Sequence, residues 1–432
     1  MGVLSKPLPL EIWMLIVKLL KPNTKANAKA LRALSRCCRA LALPSQRVLF
    51  NDLHIPRTCT VLPSRRAGAL ARLKDAFTRS PHLATFVRRV CYVIEDPDSD
   101  SENTTLHWIL NQLTGNLSGV QVEYISKTPS APYLDWDTLD ARLRSSIMHT
   151  VQAPRLESLS LLWIKNLPLS GLVSLSPDLT RVKLEVKIQQ ESVERSESLN
   201  SNGTPRRMDP TQNNKRRLPQ IMDFQYYDHD MDGVLASRPF VFDFEQLQFL
   251  QISWGNELQC AMGKELIKAS SKLEGLACKS IAGLAKAMLD CSSEHSLTTL
   301  AIRLSHETAS QTVPDPDEYD LFLGFIEELE FLAGKNAVKY LMVHFDTTKE
   351  AHDRLTSCLS RFDEVITREA FPHLEHFELE IWVHYSEPYY VPHGSRLEDS
   401  WAERNRAQCR GVSAIPGLKF GCQVEIMLKC DL

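Results

Sequence analysis

One short apolar pattern recurs along most of this chain and limits what it can fold into. It is an apolar residue, two others, an apolar residue, one other, then an apolar residue. It occurs at Leu156/Leu159/Leu161, Leu179/Val182/Leu184, Leu247/Leu250/Ile252, Leu297/Leu300/Ile302, Val338/Leu341/Val343 and Leu374/Phe377/Leu379. A shortened copy stands at Leu273/Leu276, and a looser one at Leu83/Phe86 runs into residues 90–94. The last three positions alternate as a half-buried strand does, successive side chains turning to opposite faces. Pro or Ser often stands just ahead, as in Ala153-Pro154-Arg155-Leu156 and Phe371-Pro372-His373-Leu374, the punctuation of a loop entering a strand.

From Leu156 onward the units start 23, 68, 26, 24, 41 and 36 residues apart. Helical periodicity fills several of the gaps, at 258–270, 281–289, 319–333 and 349–366. Strand followed by helix, repeated, predicts an α/β chain in which each unit stacks on the next. The units resemble leucine-rich repeats, which recur every ~20–29 residues. That resemblance implies an irregular leucine-rich-repeat-like α/β solenoid over residues 56–432. Residues 189–217 are rich in Ser, Glu, Asn and Arg and nearly free of large apolar side chains, which predicts a disordered insertion.

Residues 5–55 read differently, as a three-helix module. Ile12, Leu15, Ile16, Leu19 and Leu20 fall on one helical stripe, and Pro9 sits where a first turn tolerates proline. The run Lys21-Pro22-Asn23-Thr24 stops that helix, and a second over 25–43 carries Leu31, Leu34, Cys38 and Leu41 on one face. Pro44 is expected to end it, with a third short helix over 45–51 leading into the strand-like Leu53-His54-Ile55. The segments Leu8-Pro9-Leu10-Glu11-Ile12, Leu34-Ser35-Arg36-Cys37-Cys38-Arg39 and Val48-Leu49-Phe50 resemble an F-box, and the body is similar to the degenerate repeats that follow F-boxes in many fungal proteins. Two departures stand out: Leu41 occupies the place where the family commonly has Trp, and a basic turn replaces the usual acidic one.

The resemblance implies a substrate-recognition subunit of a cullin-RING ubiquitin ligase of the SCF type. It implies docking to a Skp-type adaptor, and through it a cullin, by Leu8, Pro9, Leu10, Ile12, Ile16, Leu19, Leu20, Leu34, Cys38, Arg39, Leu49 and Phe50. Physical reasoning points the same way, because three helices this apolar hold more greasy surface than so thin a core can hide. The alternative is a stand-alone leucine-rich-repeat scaffold with no ligase link, in which those side chains cap the body.

Composition excludes other classes. A formal charge of −3 over 432 residues leaves no single-sign field that favours nucleic acid or an anionic membrane. Eleven scattered cysteines fit reduced thiols and, with no signal peptide or spanning segment, an expected cytoplasmic or nuclear location. No Gly-rich phosphate loop, G-x-S-x-G elbow or H-E-x-x-H helix occurs, so no enzymatic activity and no cofactor are expected. Residues 228–233 match half a calcium loop, but Pro239 stands where a bidentate Glu is required. Adjacent Cys37 and Cys38 lack a second ligand pair, so no metal is expected, and Cys38 reads as a small core residue.

Selectivity is expected on the opposite face of the strands, where residues between the apolar ones line up across neighbours. The candidates are Arg181, Lys183, Phe249, Gln251, Arg303, Tyr340, Met342, His344, His376 and Glu378, with Ser158, Ser160 and Ser253 beside them.

Overall fold

The computed structural model describes residues 9–22, 24–55, 63–94, 100–113, 115–126, 133–168, 172, 175–189, 218–226, 242–254, 257–280, 296–305, 322, 324–385 and 394–428. Leu8, nearly all of the expected insertion at 189–217, the acidic turn at 228–233 and the expected helix at 281–289 lie outside them. The chain divides into two compact units, Met1–Pro219 and Gln220–Leu432, and both are mixed α/β with parallel strands.

The first unit opens with α1 (Leu10–Leu19), α2 (Lys25–Cys37) and α3 (Arg39–Phe50). Thr24 caps α2, its hydroxyl accepting the Asn27 amide at 3.2 Å and satisfying one orphan donor of the first turn. Val17, Leu31 and Leu41 form the buried core of the module, and Trp13, Leu20, Leu34, Val48 and Leu49 pack against it. The expected boundary between the second and third helices is corrected. The break falls at Cys38, whose extended backbone ends α2 and starts α3, and Pro44 lies inside α3. Pro44, the sixth of the twelve residues of α3, removes one donor in mid-helix, and the turn at Cys38 brings Leu41 back onto Leu31.

Next come β1 (Asp52–Ile55), α4 (Pro63–Arg79), β2 (Arg89–Ile94), α5 (Asp100–Asn111), β3 (Gly119–Tyr124), β4 (Leu134–Asp135), α6 (Ala141–Val151), β5 (Ser158–Pro168) and β6 (Arg181–Gln189). These strands pair in the order β1-β2-β3-β5-β6, with β4 beside the far half of β5. Trp163 and Asn166 take left-handed backbone conformations (φ 63° and 59°) where the β5–β6 register shifts. Asn166 donates to Asp135 at 3.0 Å, which ties β4 to that irregular stretch.

The second unit holds β7 (Asp223–Tyr226), β8 (Phe249–Trp254), α7 (Glu257–Ala269), β9 (Gly275–Ser280), β10 (Thr299–Ser305), α8 (Phe325–Leu332), β11 (Tyr340–Thr348), α9 (Lys349–Cys358), α10 (Arg361–Val365), β12 (His376–Tyr385), α11 (Gly394–Gln408), α12 (Arg410–Ser413) and β13 (Lys419–Leu428). Its strands pair in chain order, each parallel to the next. The helix expected over 319–333 is shorter, and the one over 349–366 is two helices broken at Leu359 and Ser360.

Each apolar unit begins two residues ahead of its strand: Leu156 before β5, Leu179 before β6, Leu247 before β8, Leu273 before β9, Leu297 before β10, Val338 before β11 and Leu374 before β12. All seven side chains are buried, as are the strand positions that follow them in the pattern. Three further units share the spacing: Val87/Val90/Tyr92, Leu117/Val120/Val122 and Ile221/Phe224/Tyr226. Thus Val87, and not the Leu83/Phe86 pair, leads into β2, and Ile221 divides the long 68-residue interval. Between strands the backbone repeats one connection: the carbonyl before a strand accepts two amides of the next unit, as Glu274 does from Thr298 and Thr299. The apolar face is filled out by rings, with Phe322 edge-on to Phe345 and Phe362, and Phe362 edge-on to Phe377.

Candidate functional site

The helical module keeps an apolar surface that its own core does not cover. Leu10, Ile12, Leu15 and Leu19 remain 45%, 40%, 54% and 79% exposed. Positions 12, 15 and 19 fall on one side of α1, while Trp13, Val17 and Leu20 fall on the other and pack inward. The candidates for adaptor contact therefore separate. Pro9, Leu10, Ile12, Leu19 and Arg39 are exposed and Ile16 is half-buried. Leu20, Leu34 and Leu49 turn into the module's core, and the Phe50 ring packs 6.2 Å from Phe77 on α4. Cys38 is exposed, against the expectation that it fills the core, because the chain leaves the helix at that residue.

On both units the residues between the leucines share the opposite face of the strands. Parallel sheets usually have both faces covered, yet Tyr340 and Met342 stand exposed here. In the first unit Arg181 and Lys183 register with Ser158 and Ser160. In the second, Phe249 registers with Gly275, Gly275 with Thr299, Thr299 with Tyr340 and Tyr340 with His376. The Phe249 ring lies where a Cβ on residue 275 would meet it at 2.6 Å, so glycine there leaves room for the ring. Tyr340 and His376 stack with centroids 4.8 Å apart. Gln251 and Glu378 occupy the same open face, the latter beside Met342.

Farther along β10, β11 and β12 this face closes over a polar cluster. The Asp346 carboxylate is almost fully buried and accepts from Arg303 Nε at 2.6 Å and His344 Nε2 at 3.1 Å. His344 Nδ1 faces Glu380 at 3.2 Å, its ring stands edge-on to Trp382 at 4.3 Å, and the Arg303 guanidinium lies 4.9 Å from the Trp382 ring centre. Burial pushes the Asp346 carboxyl up, but the hydrogen bonds and positive charge of His344 and Arg303 outweigh it and hold the group well below the usual carboxylate range. Sequence reading reached Arg303 and His344 but missed Asp346, Glu380 and Trp382. The signal was present, since the strand alternation simply continues past the three-residue core of each unit.

A cleft of about 1100 Å³ lies in the first unit, between the helical module and the open face of β1, β2, β3 and β5. Lys18, Lys21, Arg32 and Arg47 line it, together with Leu20, Val48 and Leu49. The single acid among its described lining residues, Asp52, is gripped by Arg89 in a two-pronged ion pair. The hydrogen bond from Arg89 chiefly lowers the Asp52 carboxyl.

Among the described residues no group of three or more His, Cys, Asp or Glu side chains is placed to hold a metal, and no helix is long and apolar enough to cross a membrane. The chain matches no protein-family profile and no characterised protein.

Proposed function

We propose that this chain is a recognition subunit: the α1–α3 module docks a Skp-type adaptor of a cullin-RING ubiquitin ligase, and an irregular leucine-rich-repeat-like body binds the protein to be modified. The observation that carries the reading is the bare ridge of Ile12, Leu15 and Leu19 on a helix whose other side already fills the module's core. A helix apolar all round needs covering on both sides, and a matching groove on a partner supplies the second cover. Each unit contributes parallel strands with one apolar and one more polar face, the form in which repeat proteins present binding surfaces.

The test is capture of a purified Skp-type adaptor by the full chain and by a Leu15→Asp, Leu19→Asp double variant. Both residues are exposed, so thermal unfolding should be unchanged while capture is lost. Retained capture by the double variant would refute the adaptor assignment. The scaffold reading draws on one observation of its own, the inward packing of Leu20, Leu34 and Leu49, and it predicts no adaptor capture by either protein.

A further inference from the structure

We propose that the cleft between the helical module and the first four strands binds an extended acidic segment of a partner protein. Among the described residues five cations line it, Lys18, Lys21, Arg32, Arg47 and Arg89, against the single acid Asp52. Arg89 and Asp52 neutralise each other. No acid among the described residues lies within salt-bridge reach of the other four. A concave surface lined by one sign of charge concentrates ligands of the opposite sign. The chain as a whole carries −3, so the positive cleft is a local feature that net charge conceals.

The floor specifies the kind of anion. Where the cleft crosses β3 and β5 its side chains are small or neutral polar, with Gly119, Gln121, Ser158 and Ser160. On the helical side Leu20, Pro22, Val48 and Leu49 add apolar contact. Among the described residues no Phe, Tyr or Trp lines the site, so these offer none of the stacking platforms on which single-stranded nucleic acid rests. Charge above, small polar groups below and aliphatic walls suit a peptide that mixes carboxylates with aliphatic side chains.

The track also continues past the cleft. Ser158 and Ser160 register with Arg181 and Lys183 on β6, so the open face continues to β6 with two more basic residues, Glu185 following them on the same side. Four strand spacings of ~4.8 Å cover about 19 Å, the length of about six extended residues. As a statement of what the receptor recruits, this inference rests on the function proposed above; as a statement about binding it is measurable with no adaptor present.

The experiment is fluorescence anisotropy of a labelled peptide of alternating Glu and Leu titrated with the full chain. A matched Gln/Leu peptide and a labelled oligothymidine are titrated alongside, with a Lys21→Glu, Arg32→Glu double variant as the second protein. The Glu/Leu peptide should bind, weaken as salt is raised, and lose about tenfold or more in affinity when either the peptide loses its carboxylates or the cleft its two cations. Equal binding of the Gln/Leu peptide, unchanged affinity in a double variant of normal melting temperature, or oligothymidine binding as tightly as the peptide would each overturn the proposal. Adaptor capture by the same double variant separates the two claims. An unmutated chain that captures the adaptor but binds no Glu/Leu peptide overturns the acidic-peptide site alone, and one that binds the peptide but captures no adaptor overturns the adaptor reading alone; the Leu15→Asp, Leu19→Asp variant should keep peptide binding.

Discussion

Replacing Asp346 by Asn tests whether the polar cluster on the open face is structural in the way its geometry implies. The carboxylate is 2% exposed and takes two hydrogen bonds, from Arg303 Nε and from His344 Nε2. Hydrogen bonds involving a charged group contribute ~1.5–3 kcal/mol each. The Arg303 side chain is 39% exposed, so water screens its share and only about half of it counts. The loss is then about 3 kcal/mol, which for a unit of this size lowers the melting temperature by roughly 6–12 °C. Glu378→Gln, on the same face but exposed, should stay within about 0.5 kcal/mol of the parent. The pH dependence carries an independent sign. Because the folded carboxyl lies below its unfolded value of 3.8, its stabilisation is present above that value and disappears as pH falls further. The gap between parent and Asp346→Asn should therefore be full at neutral pH and close in strong acid. Trp382, edge-on to His344, makes tryptophan fluorescence a suitable probe of the melt. A variant that melts within about 1 °C of the parent at neutral pH, or a gap that ignores pH, would refute the reasoning.

His352 and the buried thiols give two further expectations. His352 is buried, stacks on Trp401 at 4.5 Å and meets Asn405 Nδ2 at 3.4 Å. Burial pushes its pKa down, against Asp353 and with Arg404, so the neutral ring is the one the fold accommodates. Stability should fall as pH drops below about 6.5, and His352→Phe should flatten that slope in urea unfolding; an unchanged slope would exclude His352 as its source. Burial pushes the Cys409 thiol up to about 12 and the Cys422 thiol up to about 11. Iodoacetamide should therefore modify exposed Cys37 and Cys38 in the native chain and reach Cys409 and Cys422 only after unfolding, as read by peptide mass spectrometry. Native labelling of Cys409 would contradict the packing described.

Much of the strand layout was legible because burial of one strand face leaves a period of two that survives almost any choice of apolar side chain. The unit at Ile221 was missed for that same reason. Its strand positions are Phe224 and Tyr226, which fill the core with rings where a search for leucine finds nothing. The break at Cys38 was illegible because nothing in the local sequence demands it; it follows from Leu41 packing on Leu31, a tertiary preference that overrides the helical pattern. The cleft was hidden differently. Its cations come from α1 and the turn after it, from α2, from α3 and from β2, and only the fold gathers them at one cleft. Likewise Arg303, Asp346 and Glu380 are separated by 43 and 34 residues, and alternation shows which face each occupies but not that the face closes over them.

The helix α1 brings these strands of reasoning together. Apart from Glu11 and Lys18 all of its residues are apolar, and a helix of about ten residues is marginal in water without tertiary contacts. Trp13, Val17 and Leu20 supply those contacts on one side. Leu15 and Leu19 stand outside that core and are 54% and 79% exposed. Selection for folding alone would leave such positions polar, since exposed leucines add aggregation risk and no core. On the function proposed above, their place at the spacing of a second helical stripe serves a second packing event, against the groove of the adaptor.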